Sequence, residues 1–585
     1  MRNLPIWLAI GTLAGAGAAR AQAVEVVVRA DEPLRGVPTR FLGANFTSYG
    51  KSGTSPADFV PCCLGPLGQL ARPLALWRTP GGVLGSFFHF LTGTYGDDPD
   101  GPPNGITLDG FVRAASEHRG ELLHILNWNA SDQELINLID YANSPVPYPV
   151  DPNWTPSSYR QQDPAPRGYF PWLRQLRGRR QPIGLRYVTL GNEIWNSVTD
   201  RDVRCRHDAV CYGQKGAELA RRLRAQDPNL QIGISILTLG QAANPAYRNP
   251  AVYAGWRAAG LHPDFVSDHA YFRCGYGPRN ATQAEEMIRF ADALGPAAQR
   301  TRAELVAAFP DCGRFIGMFV DEFGPQACGG GPEPFETFGP WAVAAVAHFY
   351  AAALHAGYAH ASYYHFNGDP HNLDSAGYGL VNGESPGTVD ASYYGLWFAA
   401  RLLQDAVSEV PLLGLPAELR GVAVHAPGLL RILLVNASAA TSPRLDIKVQ
   451  GRKVLFATAI AYVADAQRGG LNNLFTRRSQ VPQQPPAARA QDLRAVEVPP
   501  LSTVLLELDV AGAPAPPAPA AATGCAEEMI SGPPQPEPQR PSLEPPPSGC
   551  SCRMAGQGGR GHELLLPALL VLWAGHRKRR RAVLP

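Results

Sequence analysis

The stretch Arg186-Tyr187-Val188-Thr189-Leu190-Gly191-Asn192-Glu193 reads as a short strand that leaves an apolar core through a glycine and ends on an amide and a carboxylate. Its short apolar, β-branched run is that of a barrel strand whose end lies near Glu193. Seven other runs share this form. They end near Asn45 (FLGANF), Arg78 (LALWR), Asn127 (ELLHILN), Ile236 (QIGISI), His269 (DFVSDH), Glu322 (FIGMFVDE) and Phe366 (ASYYHF). Amphipathic segments lie between them, among them Lys215 to Gln226 after the fourth run and Gly339 to Ala356 before the eighth. Eight strands alternating with helices predict a parallel (β/α)8 barrel. The most polar residue of each run falls at its C-terminal end, where such barrels place their active sites.

Past Leu403 the helical segments give way to strands with turn signals: Gly421 to His425, Leu429 to Asn436, Leu445 to Gln450, Val454 to Val463 and Leu501 to Val510. This pattern predicts a small antiparallel β-sandwich. The expected organisation is an α/β chain with a barrel over 24–404 and a C-terminal sandwich over 405–510. The alternating segment 24–30 has strand character and can return to the sandwich. Residues 511–549 are rich in Pro and Ala with few large apolar side chains, which predicts an extended linker.

Both ends read as address labels. Residues 1–23 begin with Arg2, continue through an apolar run and close on Ala21-Gln22-Ala23, the pattern of an export signal peptide. Residues 550–585 carry Cys550-Ser551-Cys552, an apolar run from Leu564 to Trp573 and the basic cluster His576 to Arg581. This tail resembles the C-terminal sorting signal of myxobacterial surface proteins, which implies anchoring at the membrane or cell envelope and later processing. Export permits disulfides, and of the ten cysteines Cys205 and Cys211 are the expected local pair. Cys274, Cys312 and Cys328 lie near strand ends, and the vicinal Cys62-Cys63 has no assignable partner. The cysteines lack the paired spacing and nearby histidines of a zinc site. A net charge of +2 with no basic stripe gives nucleic acid no support as a partner.

Chemistry concentrates in two strand ends, Leu190-Gly191-Asn192-Glu193 and Phe319-Val320-Asp321-Glu322-Phe323-Gly324. They belong to strands four and seven, which face each other across a barrel mouth. An Asn-Glu pair ending strand four and a Glu ending strand seven resemble the signature of the clan A glycoside hydrolases, retaining enzymes on TIM barrels. That resemblance implies a carbohydrate substrate, Glu193 as acid/base, Glu322 as nucleophile, and neither cofactor nor metal. Arg78-Thr79-Pro80-Gly81-Gly82 is similar to the Arg-x-Pro-Gly-Gly of family 51 α-L-arabinofuranosidases, where Phe87 and Phe88 also match aromatic positions. Arg78 would then hold the nucleophile's carboxylate. Asp268-His269-x-Tyr271 resembles the clan's Ser-x-His-x-Tyr, whose His or Tyr meets the nucleophile.

Asn45, Asn127, Trp128 and Asn192 are expected to bind sugar or support the residues that do. Trp195, Tyr364 and Trp397 are weaker candidates, and His365, Asp369 and His371 read as a loop. Ile194-Trp195-Asn196 and Asp321-Glu322-Phe323 depart from family 51, which usually has Met-Asp-Gly-Pro after the acid/base and Asp-Glu-Trp at the nucleophile. Family 79 β-glucuronidases and family 39 β-xylosidases share the plan and the two acids. A surface carbohydrate-binding protein on the same barrel is the non-catalytic alternative.

Overall fold

The computed structural model describes residues 22–46, 74–95, 106–117, 120–146, 165, 168–195, 204–205, 207–239, 247–272, 280–324, 340–366, 379–380, 389, 391–456, 458–464 and 486–514. The two address segments apart from residues 22–23, nearly all of the linker, Cys62, Cys63, Cys274, Cys328, Asn196, Asp369 and His371 lie outside them.

Eight parallel strands close into a barrel. In order they are Leu42–Asn45, Leu76–Thr79, Glu121–Leu126, Tyr187–Leu190, Gln231–Ser235, Phe265–Tyr271, Gly317–Gly324 and His360–Tyr363. We number these barrel strands one to eight. Ala361 pairs with Leu42, so strand eight returns to strand one and no open edge remains. The fold is a TIM barrel with a β-sandwich.

Every described position in strands one, two, four, five and eight is buried, as expected where helices cover a sheet whose interior is also filled. Leu76, Leu123, Tyr187, Phe265 and Phe319 form an apolar plug of their own, with the Phe265 and Phe319 rings stacked at 4.2 Å. These residues come early in their strands. The later residues Arg78, Thr189, Ser267, His269 and Asp321 are buried and polar. The barrel is therefore closed by apolar packing at one end and lined with hydrogen-bonding groups toward the other.

The helices begin where the sequence supplies caps. Ser131 accepts from the Glu134 amide to start Asp132–Asn143, and Asp208 accepts from Val210 and Cys211 to start Ala209–Gln226. A disulfide joins Cys205 to Cys211 across the latter start, and Cys312 is disulfide-bonded as well.

Helix Ala391–Leu403 leads into the sandwich. One sheet has seven strands, including Leu419–Ala426, Leu429–Asn436, Thr458–Ala464 and Thr503–Asp509. The other has four and contains the N-terminal strand Val24–Arg29, parallel to Arg444–Gln450 and antiparallel to Leu412–Leu413. The chain thus begins in the sandwich, crosses to build the barrel, and comes back. Val26, Val28, Leu430, Ile432, Leu445, Val504 and Leu506 fill a purely apolar space between the sheets.

Candidate active site

Arg78 stands at the centre of the polar end of the barrel, fully buried, and four of its five N–H groups donate to oxygens. Nε donates to Asp321 Oδ2 at 2.8 Å. Nη1 donates to Asn45 Oδ1 at 2.8 Å and to Glu322 Oε2 at 2.7 Å. Nη2 donates to Asn192 Oδ1 at 2.6 Å and lies 3.2 Å from His269 Nε2. These partners come from strands one, six and seven and from the turn after strand four. A planar fork of fixed donors suits this position because it holds several acceptors in one plane.

Arg78 touches both Asp321 and Glu322 because strand seven is irregular there. Asp268 pairs with Val320 and the next residue, His269, pairs with Glu322, so Asp321 is an extra residue. Regular alternation would send neighbouring side chains to opposite faces, and the bulge re-aims one of them. Asp321 accepts from Arg78 and from Ser267 Oγ, and Asn45 Nδ2 donates to its carbonyl at 2.9 Å. Asp321 is the main residue that sequence reasoning missed: it was visible only as the companion of Glu322.

Strand four ends at Leu190, three residues short of the expected Glu193. Gly191 takes φ 75°, and a Cβ there would lie 2.6 Å from Ile194 and 2.9 Å from Trp128, so only glycine fits the turn. Glu193 itself has φ 44°, in the left-handed region that few side chains adopt, which is the kind of backbone strain found at functional sites. Ser86, also missed, braces the turn: its Oγ accepts from the Asn192 amide at 3.0 Å, and its carbonyl accepts from Asn129 Nδ2 at 2.8 Å. It sits in the short 3-10 helix Val83–Phe87, just past the Arg78-to-Gly82 segment, at a position no motif marks.

The two glutamates meet around His269. Its Nδ1 lies 2.9 Å from Glu193 Oε1 and 3.8 Å from Glu322 Oε2, and one oxygen of each glutamate and one nitrogen of the histidine all lie within 4.8 Å of one another. Tyr271 donates its hydroxyl to Glu322 Oε1, so both Glu322 carboxylate oxygens carry a hydrogen bond. Trp195 sits edge-on to the His269 ring at 5.6 Å. In the loop after strand two, Gly82 has φ 74° and no room for a Cβ, because the Tyr364 hydroxyl would lie 2.5 Å from it.

Burial disfavours every charge here, and the neighbours decide which charges survive. For His269, burial pulls the pKa down, but Glu322, Asp321 and Glu193 together push it up to about 10. The cation then donates from Nδ1 to Glu193 and faces Asp321 Oδ1 at 3.4 Å with Nε2. Burial would raise Asp321, yet the Arg78 charge and the bonds from His269 and Ser267 hold it well below the usual carboxylate range. Glu322 is raised, burial outweighing His269 and Arg78. The hydroxyl of Tyr271 is pushed well up by burial and then by Glu322, so it remains a donor.

Among the described residues, Glu193, His269 and Glu322 are the group whose atoms converge as metal ligands would. A cation there would have to compete with Arg78 and Tyr271 for both oxygens of Glu322 and with a histidine that favours its protonated form, so the donor set suits proton transfer better than a metal.

The remaining sequence candidates take supporting places. Asn45 is fully buried with its amide spent on Arg78, Asp321 and Tyr363. Asn127 Oδ1 accepts from the amides of Asn129 and Ala130 and shapes the turn after strand three. Trp128 is a core residue, 1% exposed, edge-on to Tyr212 and under Arg204, rather than a stacking platform. Trp397 packs against Tyr462 of the sandwich. Asn192 Nδ2 is buried and has no partner among the described residues, which is a position that a ligand's hydroxyl can satisfy.

Solved structures share this architecture. The α-L-arabinofuranosidase of Thermotoga maritima matches with TM-score 0.62 at 14% identity, covering 83% of this chain and 100% of that one. The GH51 arabinofuranosidase of Xanthomonas axonopodis pv. citri matches with TM-score 0.62 at 16% identity over the same shares. CelM2, a bifunctional glucanase-xylanase from a metagenome library, matches with TM-score 0.55 at 13% identity, covering 84% of this chain and 100% of that one. No family model matches the chain, and no curated protein matches it in sequence. At these identities the likeness speaks for the fold.

Proposed function

We propose that the chain is a retaining glycoside hydrolase in which Glu322 attacks the anomeric carbon and Glu193 protonates the leaving oxygen and then activates water. The observation that carries this reading is the approach of Glu193 and Glu322 carboxylate oxygens to within 4.8 Å. Double displacement uses carboxyl groups about 5–5.5 Å apart, whereas inversion needs about 6.5–9.5 Å to admit a water. The surroundings support the division of labour. Arg78 and Tyr271 donate to Glu322 and hold one face of the carboxylate still for attack. Two cations, Arg78 and His269, face the three carboxylates of Asp321, Glu322 and Glu193. One proton shared among the three carboxylates balances that set, and the proposed roles place it on Glu193, as a general acid requires.

The substrate class we favour is an α-L-arabinofuranoside. The Arg78-to-Gly82 segment and the activity of the arabinofuranosidases that share this architecture support it. A panel of nitrophenyl arabinofuranoside, glucuronide and xyloside tests it, and highest turnover on either of the others would replace it. For the mechanism, Glu322→Ala should abolish turnover of an aryl glycoside, and azide should restore it as the glycosyl azide of inverted configuration. Near-native turnover by Glu322→Ala would sink the assignment. Glu193→Ala should slow poor leaving groups far more than activated ones, since protonation is what it supplies. Export through residues 1–23 and envelope anchoring through residues 550–585 complete the proposal, on sequence alone; cell fractionation of the full chain and of a chain ending at residue 549 tests the anchor.

A further inference from the structure

Strands five and six part company at the active-site end. Their last register pair is Ser235 with Ser267, followed by a bond from the Ile236 amide to the Ser267 carbonyl at 2.8 Å. One more step of an evenly spaced parallel ladder would send the His269 amide to the Ile236 carbonyl and the Thr238 amide to the His269 carbonyl. Neither bond forms. Both amides go instead to a single atom, Asp268 Oδ1, at 3.0 Å from His269 and 3.2 Å from Thr238. Asp268 is 1% exposed, on the face of strand six opposite His269. Its carboxylate substitutes for the missing ladder step and lets the two strands separate without leaving a buried donor unpaired.

We propose that Asp268 is a positioning residue: by accepting the His269 and Thr238 amides, it ends the strand five to strand six ladder and sets the His269 ring between Glu193 and Glu322. The consequence for catalysis rests on the function proposed above; the placement of the ring does not. Among the described residues Asp268 Oδ2 has no hydrogen-bond partner, and the buried hydroxyls of Tyr253 and Tyr358 have none either. Burial pushes Asp268 up to about 7. A proton added at Oδ2 leaves Oδ1 free to accept, so the device works in either state. An asparagine, with its oxygen at Oδ1, reproduces it.

The test compares Asp268→Asn with Asp268→Ala in the full chain, reading the His269 imidazole nitrogen resonances by NMR, assigned by their loss in His269→Gln, alongside kcat and KM on the best aryl glycoside. Asp268→Asn should leave the His269 titration in place and kcat within about threefold. Asp268→Ala should displace the His269 titration and lower kcat roughly tenfold to a hundredfold with little change in KM, as expected for a small misplacement of a group at the reacting centre. A His269 titration unmoved by Asp268→Ala overturns the proposal. So does an Asp268→Asn chain whose His269 titration is displaced, and that arm decides even if the alanine variant does not fold. If the wild-type chain turns over no glycoside, the function falls while the NMR comparison still judges the placement.

Discussion

Buried charge is organised in opposite senses at the barrel centre and at the seam with the sandwich. At the centre one guanidinium, Arg78, gathers Asp321 and Glu322 with no solvent access, and His269 and Glu193 extend the cluster toward the mouth. At the seam single carboxylates each gather two cationic or protonatable partners. Glu507 lies between Arg401 of the last barrel helix and Arg431 of the sandwich, Glu409 between Arg35 and His355, and Asp292 between His348 and Arg420. Each seam carboxylate is matched in charge by its partners as it stands, and these clusters serve to dock two cores. The central cluster holds more carboxylate than cation, an arrangement completed by a proton. The same residue types therefore build adhesion in one place and reactivity in the other.

The sharpest way to break that contrast is Arg78→Lys. Lysine offers three donors around a point charge, and no arrangement of them replaces five donors in a plane. Asn45, Asn192 and one of the two carboxylates would lose their bonds. We expect kcat to fall about a hundredfold to a thousandfold, the scale of removing a preorganised donor from a reacting carboxyl's surroundings. A loss under tenfold would mean that the central network is a scaffold like the seam. Next in size is Glu507→Ala, which leaves Arg431, 5% exposed in its side chain, without its carboxylate. Breaking a buried pair typically costs about 3–5 kcal/mol, so thermal unfolding should shift clearly downward while kcat at moderate temperature stays within about twofold. If kcat fell as far as in Arg78→Lys, the seam would have to be counted as part of the catalytic machinery.

Much of the centre was legible because strand ends advertise themselves: an apolar run that stops on Arg78, Glu193, His269 or Glu322 has one physical explanation in a barrel. The structure brings these four together with Asn192 and Tyr271. What sequence could not carry was register. Phe319 points into the barrel, so alternation keeps Asp321 inside and assigns Glu322 to the outer face; the register shift brings Glu322 inward as a second partner of Arg78. Asn45 and Trp128 were ambiguous in another way, since a polar or aromatic residue at a strand end looks the same whether it meets a sugar or the protein, and only burial and partners tell them apart: Asn45 supports Arg78, and Trp128 packs against Tyr212. The seam was almost invisible. Arg420, Glu507 and Asp292 lie far apart in the chain and carry no motif, and their pairing follows from how the sandwich rests on helices Pro340–Ala356 and Ala391–Leu403.

The smallest effect offers the finest discrimination. Asp292 accepts from His348 at 2.8 Å and from Arg420 through Nε and Nη2, but its side chain is 37% exposed. Water screens such a pair, so Asp292→Asn should cost only roughly 0–1 kcal/mol near neutrality. The pH dependence carries the signature. Burial would raise Asp292, yet His348 and Arg420 depress it below the ordinary 3.8. Its contribution is therefore complete above that value and is lost as pH falls from there through the depressed value of the folded state. His348 is lowered from 6.5 by burial against the pull of Asp292, so removing Asp292 lowers it further. A histidine held neutral in the fold costs stability as the unfolded chain takes up protons below 6.5, and it costs the variant more. The difference in unfolding temperature between wild type and Asp292→Asn should widen as pH drops below 6.5, then close again below 3.8 as the wild-type carboxyl protonates. A difference that stayed flat from pH 7 to 4 would show that Arg420 alone holds Asp292, and that the seam is a simple ion pair rather than a carboxylate shared between two partners.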